Sequence, residues 1–301
     1  MVYIKMELSN MFNVTFMGQC RFKNPWRHFS RHVKDEYILY FVKQGILYIE
    51  EEGKKYTVRE GEYIILQPYC YHVGYELSEV TYYYIHLTRT KFSIINKYKS
   101  NDVKEDILKR RMESLSSDIT TADYRDDATI LLPKHYQFHQ NFEIYKLLDA
   151  ACYELNQKSE NFKLFSVLIT YQILIKMNRQ FNSEIIGKVG QKSYVIVKEL
   201  IVFLEEHLHE RLTINEIESY SSLNYNYLNR IFKASTGFTI KNYLNLLKIQ
   251  RAQQLIRENG LTFAEISEYL GFDDPFYFSK LFKSKTGLTP SQYKNEIKLT
   301  I

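Results

Sequence analysis

Asn226, Asn229, Arg230 and Lys233 stand at helical spacing in NYLNRIFKASTGFT (226–239), with no acidic residue among them. In FYFSKLFKSKTGLT (276–289) the matching places hold Phe276, Ser279, Lys280 and Lys283. A helix that shows amide, guanidinium and ammonium groups along one face suits the major groove of a duplex. Asn can pair with adenine and Arg with guanine, and a Lys further along reaches phosphate. Phe276 would either touch a thymine methyl or pack. The opposite faces, Leu228, Ile231 and Phe232 in one stretch and Phe278, Leu281 and Phe282 in the other, are apolar and read as buried.

Such side chains need short rods held at fixed ends. Extended backwards, the copies read LTINEIESYSSLNYNYLNRIFKASTG and LTFAEISEYLGFDDPFYFSKLFKSKTG. Each opens with a capping box, Thr213 with Glu216 and Thr262 with Glu265. A helix of about two turns follows, then a break, then a second helix that stops at Gly237 or Gly287, a residue suited to a left-handed C-terminal position. The pattern is helix–turn–helix twice, over 212–237 and 261–287. Between them 239–257 fits one helix. Its ~18 residues at ~1.5 Å each span roughly 27 Å, against about 34 Å between successive major-groove faces on one side of DNA. Two fixed readers cover a longer asymmetric site than one.

Charge does not decide the matter. The chain has 301 residues with 40 Lys and Arg against 35 Asp and Glu, a net +5. Over 193–301 the counts are 13 and 12, so the argument rests on where charges sit. Three scattered cysteines without CxxC argue against a disulfide framework or zinc finger. The N-terminus lacks a secretory apolar core and SVLITYQILI (166–175) is too short for a bilayer, so the default expectation is a soluble cytoplasmic protein without membrane contact.

The front third reads as antiparallel strands: EYILYFV (36–42), a hairpin in GILYIEEEGKKYTV (45–58) with EEE (50–52) as a solvated tip, GEYIILQP (61–68) and TYYYIHL (81–87). Alternation puts Tyr82, Tyr84 and His86 on one face of the last and Tyr83, Ile85 and Leu87 on the other. Many short strands predict a small antiparallel barrel or sandwich. Residues 116–135 are expected as a loop. Phe138, Phe142, Tyr145, Leu148, Cys152 and Leu155 make one helix face, and 161–177 is apolar nearly all round, a helix buried between neighbours. Residues 182–193 read as a linker. The fold class is α+β, in two domains.

LGFDDPFYFSKLFKSKTGLTPSQYK (270–294), preceded by RAQQLI (251–256), resembles the signature of AraC-type (AraC/XylS) transcription regulators. The resemblance spans 193–298 and is looser in the first copy, where Glu218, Ser221, Ser222 and Leu246 depart from the usual pattern. It implies base reading by Asn226, Asn229, Arg230, Phe276, Ser279 and Lys280. It also implies phosphate contact by Lys233 and Lys283, with the N-terminal turns at Thr213 and Thr262 offering further backbone N–H donors. GEYIILQPYCYHVGY and YYYIHL resemble the cupin-like sensor domain of such regulators. The implied layout is a sensor over 1–135, a helical covering or dimerising segment over 136–182, a linker over 183–192 and a DNA-binding domain over 193–301. Double-stranded DNA at a promoter, a small effector such as a carbohydrate, a second copy of the chain and RNA polymerase are the implied partners; no cofactor is.

His72, Tyr82, Tyr84 and His86 read equally as walls of an effector pocket or as a tyrosine-rich core; Arg27 reads as a partner for anion or hydroxyl or, more commonly for such a residue, as half of a surface ion pair. An enzyme is the rival class, a cupin whose C-terminal half only oligomerises. His28, His32 and Glu36 lack the His-x-His of metal-dependent cupins, and no full ligand set is visible. A regulator without effector is a third reading. His135 and His139 share helical spacing but have no acidic neighbour in sequence.

Overall fold

The computed structural model describes residues 2–96, 100–116, 128–138, 142–258 and 260–300. It divides into two compact units: residues 1–105 with 121–185, and residues 106–120 with 186–301. The chain order is β1 (Tyr3–Glu7), β2 (Asn13–Trp26), β3 (Arg31–His32), β4 (Tyr37–Glu51), β5 (Lys54–Arg59), β6 (Glu62–Leu66), β7 (Tyr71–Val73), β8 (Ser78–Thr88) and β9 (Lys91–Ile95). Then come α1 (Ser100–Ser116), β10 (Thr129–Pro133), β11 (His135–Gln137), α2 (Phe142–Gln157) and α3 (Phe162–Glu206).

The first unit holds a three-stranded antiparallel sheet, β10-β1-β9, and an eight-stranded one in which β4 is the hub. Before Gly45, β4 pairs with β6 and β8; beyond it, with β5 and β7. Gly45 has φ +81°, and a Cβ there would stand 2.2 Å from the Glu79 carbonyl oxygen, so only glycine lets the strand turn beside β8. The two strands expected at 36–42 and from 45 are therefore one bent strand. Its hairpin tip is Glu52–Gly53, both at positive φ, as a two-residue hairpin turn requires. Glu51 is not a solvated tip residue: it is buried, ion-paired to Lys134, and accepts from the Gln67 amide at 2.8 Å.

Alternation along these strands builds two cores. Leu39, Phe41, Tyr63, Ile65, Tyr83, Ile85 and Leu87 point one way, to β1, β10 and the inner faces of α2 and α3. Ile38, Tyr40, Val42, Ile64, Leu66, Val80 and Tyr82 point the other way, with Phe22 and Trp26. The α2 face is Ile144, Leu148 and Ala151, and Phe142 is exposed rather than part of it. On α3 Ile169, Ile173, Leu174 and Met177 are buried, whereas Leu164, Leu168 and Ile175 are exposed, so this helix is covered on one side within the described residues. The span 116–135, expected as a loop, contains β10; residues 117–127 lie outside the described ones. The expected linker is helical within α3 except at Gly187, where φ 75° and ψ 172° break the helix, one residue after the division between the units.

The second unit is helical: the end of α3, then α4 (Ile214–Ser221), α5 (Tyr225–Thr236), α6 (Ile240–Glu258), α7 (Phe263–Tyr269), α8 (Pro275–Thr286) and α9 (Pro290–Thr300). Its first core joins Val197, Leu200, Leu204, Ile217, Leu228 and Phe232 with Tyr243 and Leu247 of α6. Its second joins Ile249, Ala252 and Leu255 of α6 with Ile266, Leu270, Phe278 and Phe282. One helix thus belongs to both cores. The C-terminal half of α1 packs here too. Leu115 enters the first core, its carbonyl accepts from the Tyr243 hydroxyl at 2.5 Å, and the Arg111 guanidinium lies 4.3 Å over the Tyr194 ring. No helix among the described residues is long and apolar enough to cross a membrane.

Candidate nucleic-acid interface and sensor site

The two helix–turn–helix copies are built alike. Thr213 and Thr262 are N-caps with complete capping boxes. Asn224 and Asp274 cap α5 and α8, accepting from the Asn226 and Phe276 amides at 3.0 and 2.8 Å. Gly237 and Gly287 end them at φ 79° and 81°, donating to the Lys233 and Lys283 carbonyls. Leu228, Phe232, Phe278 and Phe282 are buried, which turns the opposite faces outward.

On those faces Asn226, Arg230, Lys233, Phe276, Lys280 and Lys283 are exposed. Phe276 is 85 % exposed, so the packing alternative fails for it. Arg230 lies 5.4 Å over the Tyr227 ring, which limits its swing. Three expected contact residues are otherwise engaged. The Asn229 side-chain oxygen accepts from the Ile240 amide at 2.9 Å, tying α5 to the start of α6. The Thr213 and Thr262 amides each donate at 2.7 Å to the carboxylate of Glu216 or Glu265, so those N–H groups are taken and a negative charge sits beside them. Those hydrogen bonds hold both carboxyls below the usual range. Ser279, the counterpart of Asn229, is half-buried.

In the first unit a second constellation lies on the Tyr40–Tyr82 face. His72 is 1 % exposed, and neither ring nitrogen has a hydrogen-bond partner. Its ring is 5.5 Å from that of His28, also buried. His28 Nδ1 donates to the Phe29 carbonyl at 2.7 Å, and that fixes Nε2 as the acceptor of the Tyr40 hydroxyl at 2.9 Å. Burial pushes both imidazoles down to about 4, with the Arg31 charge adding to the effect. His86 is buried and donates through Nδ1 to Glu36 at 2.9 Å; burial lowers its pKa and Glu36 opposes this. Tyr82 is buried and Tyr84 half-buried. Arg27 is exposed; the arginine aligned with His72 is Arg31, paired with it across β3 and β7. Among the described residues no three His, Cys, Asp or Glu side chains gather as a metal site.

Two family profiles match the chain, an AraC-like ligand binding domain over residues 20–92 and a helix-turn-helix domain over 219–296. The chain is 26 % identical over 271 residues to the HTH-type transcriptional regulator YisR of Bacillus subtilis, covering 87 % of this chain and 86 % of that one. The chain is an AraC-type transcription regulator. A 110-residue stretch is 30 % identical to the Msm operon regulatory protein of Streptococcus mutans, 36 % of this chain and 40 % of that one. The C-terminal domain of AraT, a response regulator from Geobacillus stearothermophilus, is similar at 27 % identity and TM-score 0.33, covering 34 % of this chain and 84 % of that one.

An AraC-type regulator is not an enzyme, and the rival cupin-enzyme reading is set aside. Sequence reasoning passed over His28 and Arg31 as sensor residues. The period-two signal for His28 was present in Cys20, Phe22 and Trp26, which share its face, but an irregularity in β2 between Phe22 and Trp26 hides the count. Nothing in the sequence pairs Arg31 with His72, since β3 is two residues long. His135, which has no acid nearby in sequence, meets Glu62 at 2.9 Å through strand pairing; His139 lies outside the described residues.

Proposed function

We propose that α5 and α8 are the two recognition helices of this regulator, with Asn226 and Arg230 reading bases from the first. Phe276 and Lys280 read from the second, with Ser279 at their side. Lys233 and Lys283 contact phosphate. The observation that carries this is the shared build: each helix buries a Leu/Phe or Phe/Phe face and exposes the basic or aromatic one, and α6 anchors both. Asn229 acts as a tie rather than a reader, and within the turns at Thr213 and Thr262 the amides that follow those two residues are the phosphate donors.

The sensor is the Tyr40–Tyr82 face of the β domain, where His72, Tyr82, Tyr84 and His86 meet a small-molecule effector, with Arg27 at its margin. The exposed stripe Leu164, Leu168 and Ile175 on α3 supports a homodimer through that helix, because an uncovered apolar row on a long helix marks an interaction surface. RNA polymerase is the further partner of a promoter-bound regulator, and the cytoplasm its compartment. The test is a salt-controlled promoter titration of Arg230→Ala and Lys280→Ala. Loss of sequence preference with an unchanged circular-dichroism spectrum is expected; retained preference in both variants overturns the assignment.

A further inference from the structure

The outward faces of α5 and α8 follow one plan but differ in chemistry at one place. Where α5 has Asn226, α8 has Phe276. Each stands just after a cap: the Asn226 amide donates to the Asn224 side chain at 3.0 Å and the Phe276 amide to the Asp274 side chain at 2.8 Å. Pro275 lies between cap and phenylalanine at the first helical position, where its fixed φ suits a helix start. The backbone that carries the ring is therefore held in place.

The ring itself is uncovered. Phe276 is 85 % exposed, more than any other large hydrophobic side chain among the described residues. The rings of Tyr277 and Phe278 both lie against that of Phe272, whereas Phe276 makes no such contact among the described residues. One exposed aromatic needs no partner on that ground alone. Its company is what matters. At 3.6 residues per turn, Ser279, Lys280 and Lys283 each lie within about 60° of Phe276 around the helix axis, and the buried Phe278 about 160° away. Lys280 and Lys283 are exposed and Ser279 is half-buried. The ring thus shares a face with two ammonium groups, on the first turn of α8. In a recognition helix that is the part which meets base edges.

A phenyl ring neither donates nor accepts a conventional hydrogen bond, so it cannot pair with the polar atoms of a base. The major-groove edge of a base pair displays one apolar group, the C5-methyl of thymine, and phenylalanine can cover it. The other use of an apolar side chain on DNA is insertion between base steps. That is made from the minor groove, whereas the major groove is the one wide enough for a helix.

We propose that Phe276 is the thymine-determining residue of the second recognition helix, its ring covering the C5-methyl of one thymine. This rests on the reading of α8 as a recognition helix and deepens it. The first DNA segment is read by the amide of Asn226 and the guanidinium of Arg230, the second by an apolar surface beside Lys280. 5-Methylcytosine carries a methyl at the same ring position and should satisfy the ring in part; uracil and cytosine should not.

The experiment uses the full chain to select tightly bound duplexes from a random-sequence pool. Each thymine of a selected duplex is then replaced in turn by uracil, which removes the methyl and leaves the base pairing unchanged. Wild type is expected to lose about fourfold in affinity at one thymine, the size of one buried methyl group. At that position 5-methylcytosine should bind more tightly than cytosine. Phe276→Ala should weaken the thymine duplex by about fourfold or more and should no longer distinguish it from the uracil duplex. Phe276→Leu should restore part of the distinction, and Asn226→Ala should keep all of it. The denaturation midpoint of Phe276→Ala should equal that of wild type; a lowered midpoint assigns the ring to packing and overturns the proposal. A scan in which no thymine responds, or a response that survives unchanged in Phe276→Ala, also overturns it. Lys280→Ala separates the two readings. If it relaxes base preference while no thymine responds through Phe276, α8 remains a reader and the thymine assignment falls. If neither Lys280→Ala nor Phe276→Ala alters preference, α8 is not a recognition helix and both readings fall.

Discussion

The side-chain oxygen of Asn229, on the second turn of α5, accepts the Ile240 amide at the first position of α6, 2.9 Å away. A residue that looks like an adenine reader by type and spacing is holding a helix start. Asn229→Ala should cost about 1 kcal/mol, the usual value of a lost cap. It should leave base preference unchanged once stability is restored by lower temperature. Asn229→Asp, which keeps the acceptor, should retain most of the stability. Denaturant midpoints and a promoter-mutant panel check both halves.

Arg230 and Lys233 should fail in different ways. Removing a base reader costs about 1–3 kcal/mol on the cognate site and relaxes preference at one position. Removing a phosphate contact weakens all sequences alike and lowers the salt slope by about 1. Arg230→Ala and Lys280→Ala belong to the first kind, Lys233→Ala and Lys283→Ala to the second. Titrations at several salt concentrations on matched and scrambled duplexes decide it.

Acid should unfold the β domain through its neutral histidines. His28 and His72 titrate at 6.5 when free and at about 4 in the fold. The unfolded chain therefore binds more protons between those values. Stability is full above 6.5 and drains as pH falls toward 4, on the order of 3 kcal/mol for each histidine. The pH dependence of the denaturation midpoint should flatten in His72→Gln, with His28 supplying the remaining histidine slope.

Leu115 is a sequence outlier with a structural role. It lies in the middle of the chain but in the first core of the DNA-binding unit, under the Tyr243 hydroxyl. Leu115→Ala should destabilise that unit by about 2–4 kcal/mol, as other buried leucine truncations do. Tyr243→Phe should cost about 1 kcal/mol. Melting followed by tyrosine fluorescence is the readout.

A charge on the uncovered stripe of α3 should separate subunits. Leu168→Glu, at a position 55 % exposed, should leave the fold intact and shift sedimentation toward the monomer. An unchanged sedimentation profile would remove the α3 dimer.

Local rules carried the DNA-binding half: capping boxes, glycine stops and a repeated apolar face are statements about residues within four places of one another, and all appear as read. The sensor half was legible only along single strands, as in the alternation of Tyr82 with Tyr83. What escaped depends on pairing between distant strands. The Arg31–His72 register, the Glu51–Lys134 pair and the bend at Gly45 need partners 34 to 83 residues apart in contact. The face of α2 was misjudged at Phe142, because periodicity fixes a stripe only within about a third of a turn.

A single rod that supplies side chains to both hydrophobic centres of the C-terminal half leaves its two ends no independent rotation. The spacing a promoter offers must match the single helical turn that this rod can bridge. Five extra base pairs between the two contacted segments would swing the second to the far side of the duplex, about half of a 10–10.5 bp repeat. Such an insertion should abolish recognition as completely as deleting a segment, while ten added pairs would stretch the gap beyond what Ile240–Glu258 can bridge.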